Sequence, residues 1–174
     1  MGKNFNGTQI NQSPTISEKA GADVADIRNL ILKYDTDGNV VVAADGTAPL
    51  LGVSIIEGGY NDISGVEAGN VKKGEDVDIL IKDIGFVIAS AEIKKGQEVT
   101  ATTGGKAAVA AAGDYVIGVA LNNVSAGGYS RLQLSKYQNT WKDLWQQICI
   151  RHPMIWRDST NLQSKEVPYE ACCK

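Results

Sequence analysis

Three thiols and one imidazole, Cys149, Cys172, Cys173 and His152, are the side chains of this 174-residue chain best suited to nucleophilic or acid-base work. Such work needs titratable groups converging in one pocket. His152 stands directly before Pro153, with no second histidine to complete a zinc site, and no serine sits in a nucleophile elbow. Cys172 and Cys173 are adjacent, unlike a CxxC redox or zinc pair, so reduced structural thiols are expected. The carboxylates Glu75, Asp76 and Asp78 are close enough to suggest a metal or an acid-base pair, but alternate positions on the wet face of a strand explain them more simply. Asp35-Thr36-Asp37-Gly38-Asn39 opens like a calcium loop. The twelve-residue register then puts Val40 where glycine is required and Gly46 where the bidentate glutamate belongs, so a hairpin turn is expected instead. Gly104-Gly105-Lys106-Ala107 offers the hairpin lysine of a biotinyl or lipoyl carrier but lacks the flanking methionine or acid. The sequence thus predicts no catalytic residue, no cofactor and no metal.

Bulk properties narrow the field further. A net charge of -3 and a pI near 5.2 give no reason to approach phosphate backbones, so nucleic acid is not an expected partner. No stretch reaches the roughly 18 consecutive apolar residues of a membrane helix, and the opening MGKNFNGTQINQS lacks a signal-peptide core. A cytoplasm-like site of synthesis follows, in which Asn6, Asn11 and Asn123 serve as turn residues and not as glycosylation acceptors. Hydrophobic residues at 43% and charged residues at 21% are those of an ordinary globular chain.

The elements that would hold any site change character along the chain. All 19 glycines lie at or before Gly128, whereas Trp141, Trp145 and Trp156, the thiols and the histidine all follow residue 138. Between residues 39 and 134, short runs rich in valine and isoleucine alternate with turn residues, the pattern of a small all-β fold. The predicted strands are 39–43, 50–56, 77–82, 86–89, 99–102, 107–111, 115–121 and 129–134. The stretch 23–32 reads as a short helix or a strand, with strand favoured at its Leu30 end. Asp37-Gly38, Asp45-Gly46, Gly104-Gly105 and Gly127-Gly128 supply turn chemistry, and at least three hairpins are expected. Val71-Lys72-Lys73-Gly74-Glu75-Asp76-Val77 returns 22 residues later as Ile93-Lys94-Lys95-Gly96-Gln97-Glu98-Val99, so one turn is built twice. Leu51-Gly52-Val53-Ser54 is echoed by Ile117-Gly118-Val119-Ala120, where a glycine inside a strand marks a bulge or a close backbone approach. Two repeats at short offsets fit a glycine-rich β-barrel or sandwich better than a solenoid, and a compact barrel is the expectation.

Two appendages flank that domain. Residues 1–17 form a polar arm anchored by Phe5, Ile10 and Ile16, the barrel runs from 18 to 138, and 139–174 is an aromatic tail. Asn139 or Thr140 can cap a short helix whose Trp141, Leu144, Trp145 and Ile148 make one apolar stripe, ending by Pro153. That stripe either folds onto its own barrel or docks on a neighbouring chain.

Read in order, "PLLGVS" at 49–54, "IKKGQEVTA" at 93–101, "GGKA" at 104–107 and "VIGVAL" at 116–121 resemble the capsid decoration, or cement, proteins of bacteriophages over residues 18–135. The resemblance implies a small β-rich structural protein without enzymatic activity, bound to the outside of an icosahedral head, often as a homotrimer, with the major capsid protein as partner. It also implies a virion location after synthesis in the host cytoplasm. Phe5, Ile10, Ile16, Trp141, Leu144, Trp145, Ile148 and Trp156 are then the candidate capsid or subunit contacts. The rival readings are a head-fibre base or other virion appendage and, more distantly, the carrier domain.

Overall fold

The computed structural model describes residues 14–56, 58–59 and 69–139. Ten strands fall into two antiparallel sheets of five. They are β1 (Thr15–Lys19), β2 (Ile31–Tyr34), β3 (Val40–Val42), β4 (Gly52–Ser54), β5 (Asp76–Leu80), β6 (Ile84–Ile88), β7 (Glu98–Thr102), β8 (Lys106–Val109), β9 (Tyr115–Ala120) and β10 (Tyr129–Gln138). The first sheet has the order β1-β5-β4-β2-β3 and the second β6-β10-β9-β7-β8. The chain passes from one to the other through Ile81, Lys82 and Asp83, where Asp83 adopts a left-handed φ of 71°.

The expected all-β class is present, but the closed barrel is not. In each sheet the outermost strands approach at a single parallel bridge, Ala20 with Val40 and Ala89 with Ala107, and one bridge does not make a ladder. The reason lies in the repeat. Its two copies belong to different sheets, each around its own core. Ala20, Ile27, Leu32, Val40, Val71, Val77 and Ile79 fill the first sheet. Val87, Ile93, Val99, Ile117, Leu132 and their neighbours fill the second, joined there by Ile31, Leu50 and Val53 from the first. Consecutive residues Ile31 and Leu32 are both fully buried in different cores, so β2 is covered on both faces. Lys33 and Tyr34, toward its end, are only half-buried and exposed, respectively. Lys136 ties the sheets together, its ammonium donating to the Leu51 carbonyl at 2.8 Å, and burial lowers its pKa.

Local chemistry accounts for the expected hairpins at residues 34–40, 102–106 and 121–129. Asp35 accepts from the N–H groups of Asp37 and Asn39 at 2.9 and 2.8 Å, closing the β2–β3 turn. Asp45-Gly46 makes no hairpin. There the Gly46 carbonyl accepts from the Tyr115 N–H at 2.7 Å, stitching the β3–β4 connection to the second sheet. Residues 15–17, expected in the arm, start β1 instead, because β5 offers a partner strand: Thr15 lies opposite Leu80 and Lys19 opposite Asp76. Gly52 and Gly118 both mark close approaches. A Cβ on Gly52 would collide with the Leu80 carbonyl and one on Gly118 with the Gln133 carbonyl.

Candidate functional site

The clustered acids are occupied within the fold. Asp76 pairs with Lys19 at 3.0 Å, Asp78 accepts from the Ser17 hydroxyl, and a Glu75 carboxyl oxygen accepts from the Lys72 N–H at 2.7 Å. They serve strand pairing and a turn.

The feature that stands out is apolar. A groove of about 560 Å³ runs between the first sheet and β6, lined by Asn29, Val53, Ser54, Ile55, Ile56, Leu80, Ile84, Gly85, Phe86 and Tyr129. Its floor is fixed by Ser54, which is buried, accepts from the Leu30 N–H at 3.0 Å and donates to the Ile27 carbonyl. Beside it Asn29 holds a left-handed φ of 56°, donating its N–H to the Ser54 carbonyl and accepting from the Ile88 N–H, both at 3.2 Å. The rim is unusual for exposed surface: Ile56, Ile84, Phe86 and Tyr129 are 62%, 49%, 52% and 55% exposed. Four large apolar residues gathered on one rim make an exposed apolar patch, whereas scattered ones would need no explanation. Arg28 stands near Tyr129 and is paired with Asp26 at 2.8 Å, a bond that holds the Asp26 carboxyl below its usual value.

β6 is also an edge strand. The Leu134 N–H donates to the Asp83 carbonyl and the Ala89 N–H to the Gly128 carbonyl, each at 2.8 Å, so the odd-numbered backbone groups of 83–89 face β10. Those of Ile84, Phe86 and Ile88 point the other way, toward the groove. Among the described residues only the Ile88 N–H meets a partner there, the Asn29 carbonyl. Among the described residues nothing meets the outward backbone groups of Ile84 and Phe86, the state in which a strand edge accepts another chain segment.

At the opposite end of β10 the chain leaves the second sheet from a fixed root. Asn139 is buried. Its N–H donates to the Asp114 carbonyl at 2.8 Å, its carbonyl accepts from the Gly113 N–H at 2.9 Å, and its side chain donates to Glu98 at 2.8 Å. The other Glu98 oxygen accepts from the Tyr137 hydroxyl at 2.8 Å, and burial, reinforced by that carboxylate, raises the Tyr137 pKa.

Of the contact residues expected from sequence, Ile16 lies half-buried in β1 against the core of the first sheet. Phe5, Ile10, Trp141, Leu144, Trp145, Ile148 and Trp156 lie outside the described residues, as does the expected tail helix. Sequence reading missed the groove rim. A signal was present in Ile84-Gly85-Phe86-Val87-Ile88, where apolar side chains occupy both parities of one strand and therefore both of its faces.

The model of the family described as "Structural cement protein (E217 gp24/Pam3 gp6)" matches residues 1–135. The chain belongs to this family of phage structural cement proteins, and so to the structural components of the virion. Among solved structures it is similar to the N base of head fibre gp8.5 of bacteriophage phi29, at 24% identity over 70% of this chain and 92% of that one, with a TM-score of 0.47. No curated protein matches it.

Proposed function

We propose that this chain cements the outer surface of a phage capsid, binding the major capsid protein as a homotrimer and doing no catalysis. Membership of the structural cement family over residues 1–135 is the observation that carries the reading. The apolar rim of Ile56, Ile84, Phe86 and Tyr129 supports it, because desolvating such side chains is what a non-covalent joint uses. The double-sheet domain is the rigid body, made in the host cytoplasm. The arm and the tail are its attachments, through Phe5 and Ile10 on one side and Trp141, Leu144, Trp145, Ile148 and Trp156 on the other. Ile16, half-buried in β1, stands at the base of the arm as a further contact. A body that touches several subunits gains avidity, since each contact after the first is effectively intramolecular.

The test is occupancy of particles that lack the protein. Adding the full chain should restore shell density and resistance to heat or low salt, and Trp141→Ser with Trp145→Ser should lower occupancy at least about tenfold while the domain stays folded. Full occupancy by that double variant would remove the tail from the joint.

A further inference from the structure

We propose that the groove along β6 is the seat of the chain's own N-terminal segment, residues 1–13, which enters as an added strand and places Ile10 among Ile56, Ile84, Phe86 and Tyr129. Three observations converge on this. The first is the kind of ligand the groove asks for. The N–H and C=O groups of Ile84 and Phe86, two residues apart on the edge of the sheet and met by none of the described residues, are satisfied by extended backbone, and the apolar rim accepts an apolar side chain from it.

The second is where the chain's ends lie. Asn139, root of the tail, is eight residues along β10 from Arg131, which pairs with Phe86, a distance of about 26 Å at strand rise. The tail therefore starts well away from the groove. The N-terminal end enters beside it. The Pro14 carbonyl accepts from the Ile81 N–H at 2.8 Å, next to Leu80 in the groove wall and three residues before Ile84. Ile10 precedes Pro14 by four residues, up to about 13 Å of extended chain, while Phe5 has reach to spare for a contact farther out.

The third is composition. Lys3 is the only charged side chain in MGKNFNGTQINQS, and Thr8 and Ile10 share one face of an extended strand, so insertion buries a β-branched face and no charged side chain. The seated segment would cover the apolar rim and the open edge of a chain that must stay soluble until it meets a shell. This goes beyond the cement reading and describes the free chain; on a shell the segment would leave the groove, so that Ile10 and the rim become available as contacts.

The experiment is a pair of cysteines, Ile10→Cys and Phe86→Cys, in the full chain with Cys149, Cys172 and Cys173 changed to serine. The pair Ser17→Cys and Asp78→Cys, opposite each other in β1 and β5, reports that oxidation proceeds in the native fold. At micromolar protein without capsids, the expected result is a disulfide within one chain, seen by mass spectrometry. Cross-linking only between chains makes a second copy the occupant and overturns the proposal, as does no cross-link while the control pair forms. In the unmodified chain the Ile84 and Phe86 amides should exchange at least about tenfold more slowly than in Ile10→Asp. Equal exchange, or protection that arises only when capsids are added, contradicts it. Capsid occupancy is read separately, so failure of the cement reading leaves these outcomes unchanged.

Discussion

The two lysine turns are the same piece of backbone set into different sheets, and they differ almost only in charge. In both, a buried apolar residue opens the turn in an antiparallel bridge, Val71 with Val24 and Ile93 with Val124. In both, the glycine has φ +87°, and its N–H donates to an alanine carbonyl, Ala20 at 2.8 Å and Ala120 at 2.7 Å. The side chain of Glu75 or Gln97 accepts from the first lysine N–H at 2.7 Å. Asp23 or Asn123 accepts from the second, at 2.9 and 2.8 Å. The acidic copy also brings the Lys72 ammonium to 3.4 Å from Asp23, an exposed ion pair of small worth. The other copy achieves the same geometry with the neutral acceptors Gln97 and Asn123, so hydrogen bonding and the glycine define the turn while ion pairing only decorates it.

The widest break in this correspondence comes from the other echoed pair. Gly118→Ala and Gly52→Ala each drive a Cβ into a carbonyl of the adjoining strand and should each cost about 2–3 kcal/mol in urea unfolding. A large cost in one sheet and none in the other would make the echo accidental. Next come Gly74→Ala and Gly96→Ala. With nothing within 4 Å of either added Cβ, the only penalty is the left-handed backbone, about 1–2 kcal/mol and equal in both turns.

The finest distinction is in pH. The hydrogen bond from the Lys73 N–H, helped by the charge of Lys72, lowers the Asp23 pKa. Its contribution is therefore present above the ordinary aspartate range and is lost as pH falls through the lowered folded value, below about pH 4. Asp23→Asn should leave neutral stability nearly unchanged and flatten the acid limb of the stability profile. Asn123→Asp should give the second turn the acid sensitivity of the first. An unchanged acid limb in Asp23→Asn would show that the carboxylate adds nothing to the turn.

What was legible in the sequence was local. Strand β5 (Asp76–Leu80), expected at 77–82, announced itself because Val77, Ile79 and Ile81 alternate with Asp78, Leu80 and Lys82, imperfectly at Leu80, and the hairpin at Asp37-Gly38 carried its own turn chemistry. The duplicated turn was visible because both partners of its i to i+3 bond lie inside the repeat. The sheet count was hidden, because nothing local says that copies 22 residues apart sit in different sheets. β1 was hidden as well, since a polar TISEK becomes a strand only beside β5, 57 residues away from Lys19 at Asp76. The groove was hidden for a related reason. Asn29, Ile56, Ile84 and Tyr129 come from four distant segments, and each alone reads as an ordinary surface or turn residue.

Cryo-electron microscopy of otherwise identical phage particles, with and without this chain, tests the central claim most directly. The cementing account requires two-sheet density on the outside of the shell, bridging neighbouring capsid subunits, and a shell that fails earlier on heating when that density is gone. Bare shells of equal stability, or density for this chain anywhere but on the shell exterior, would contradict it.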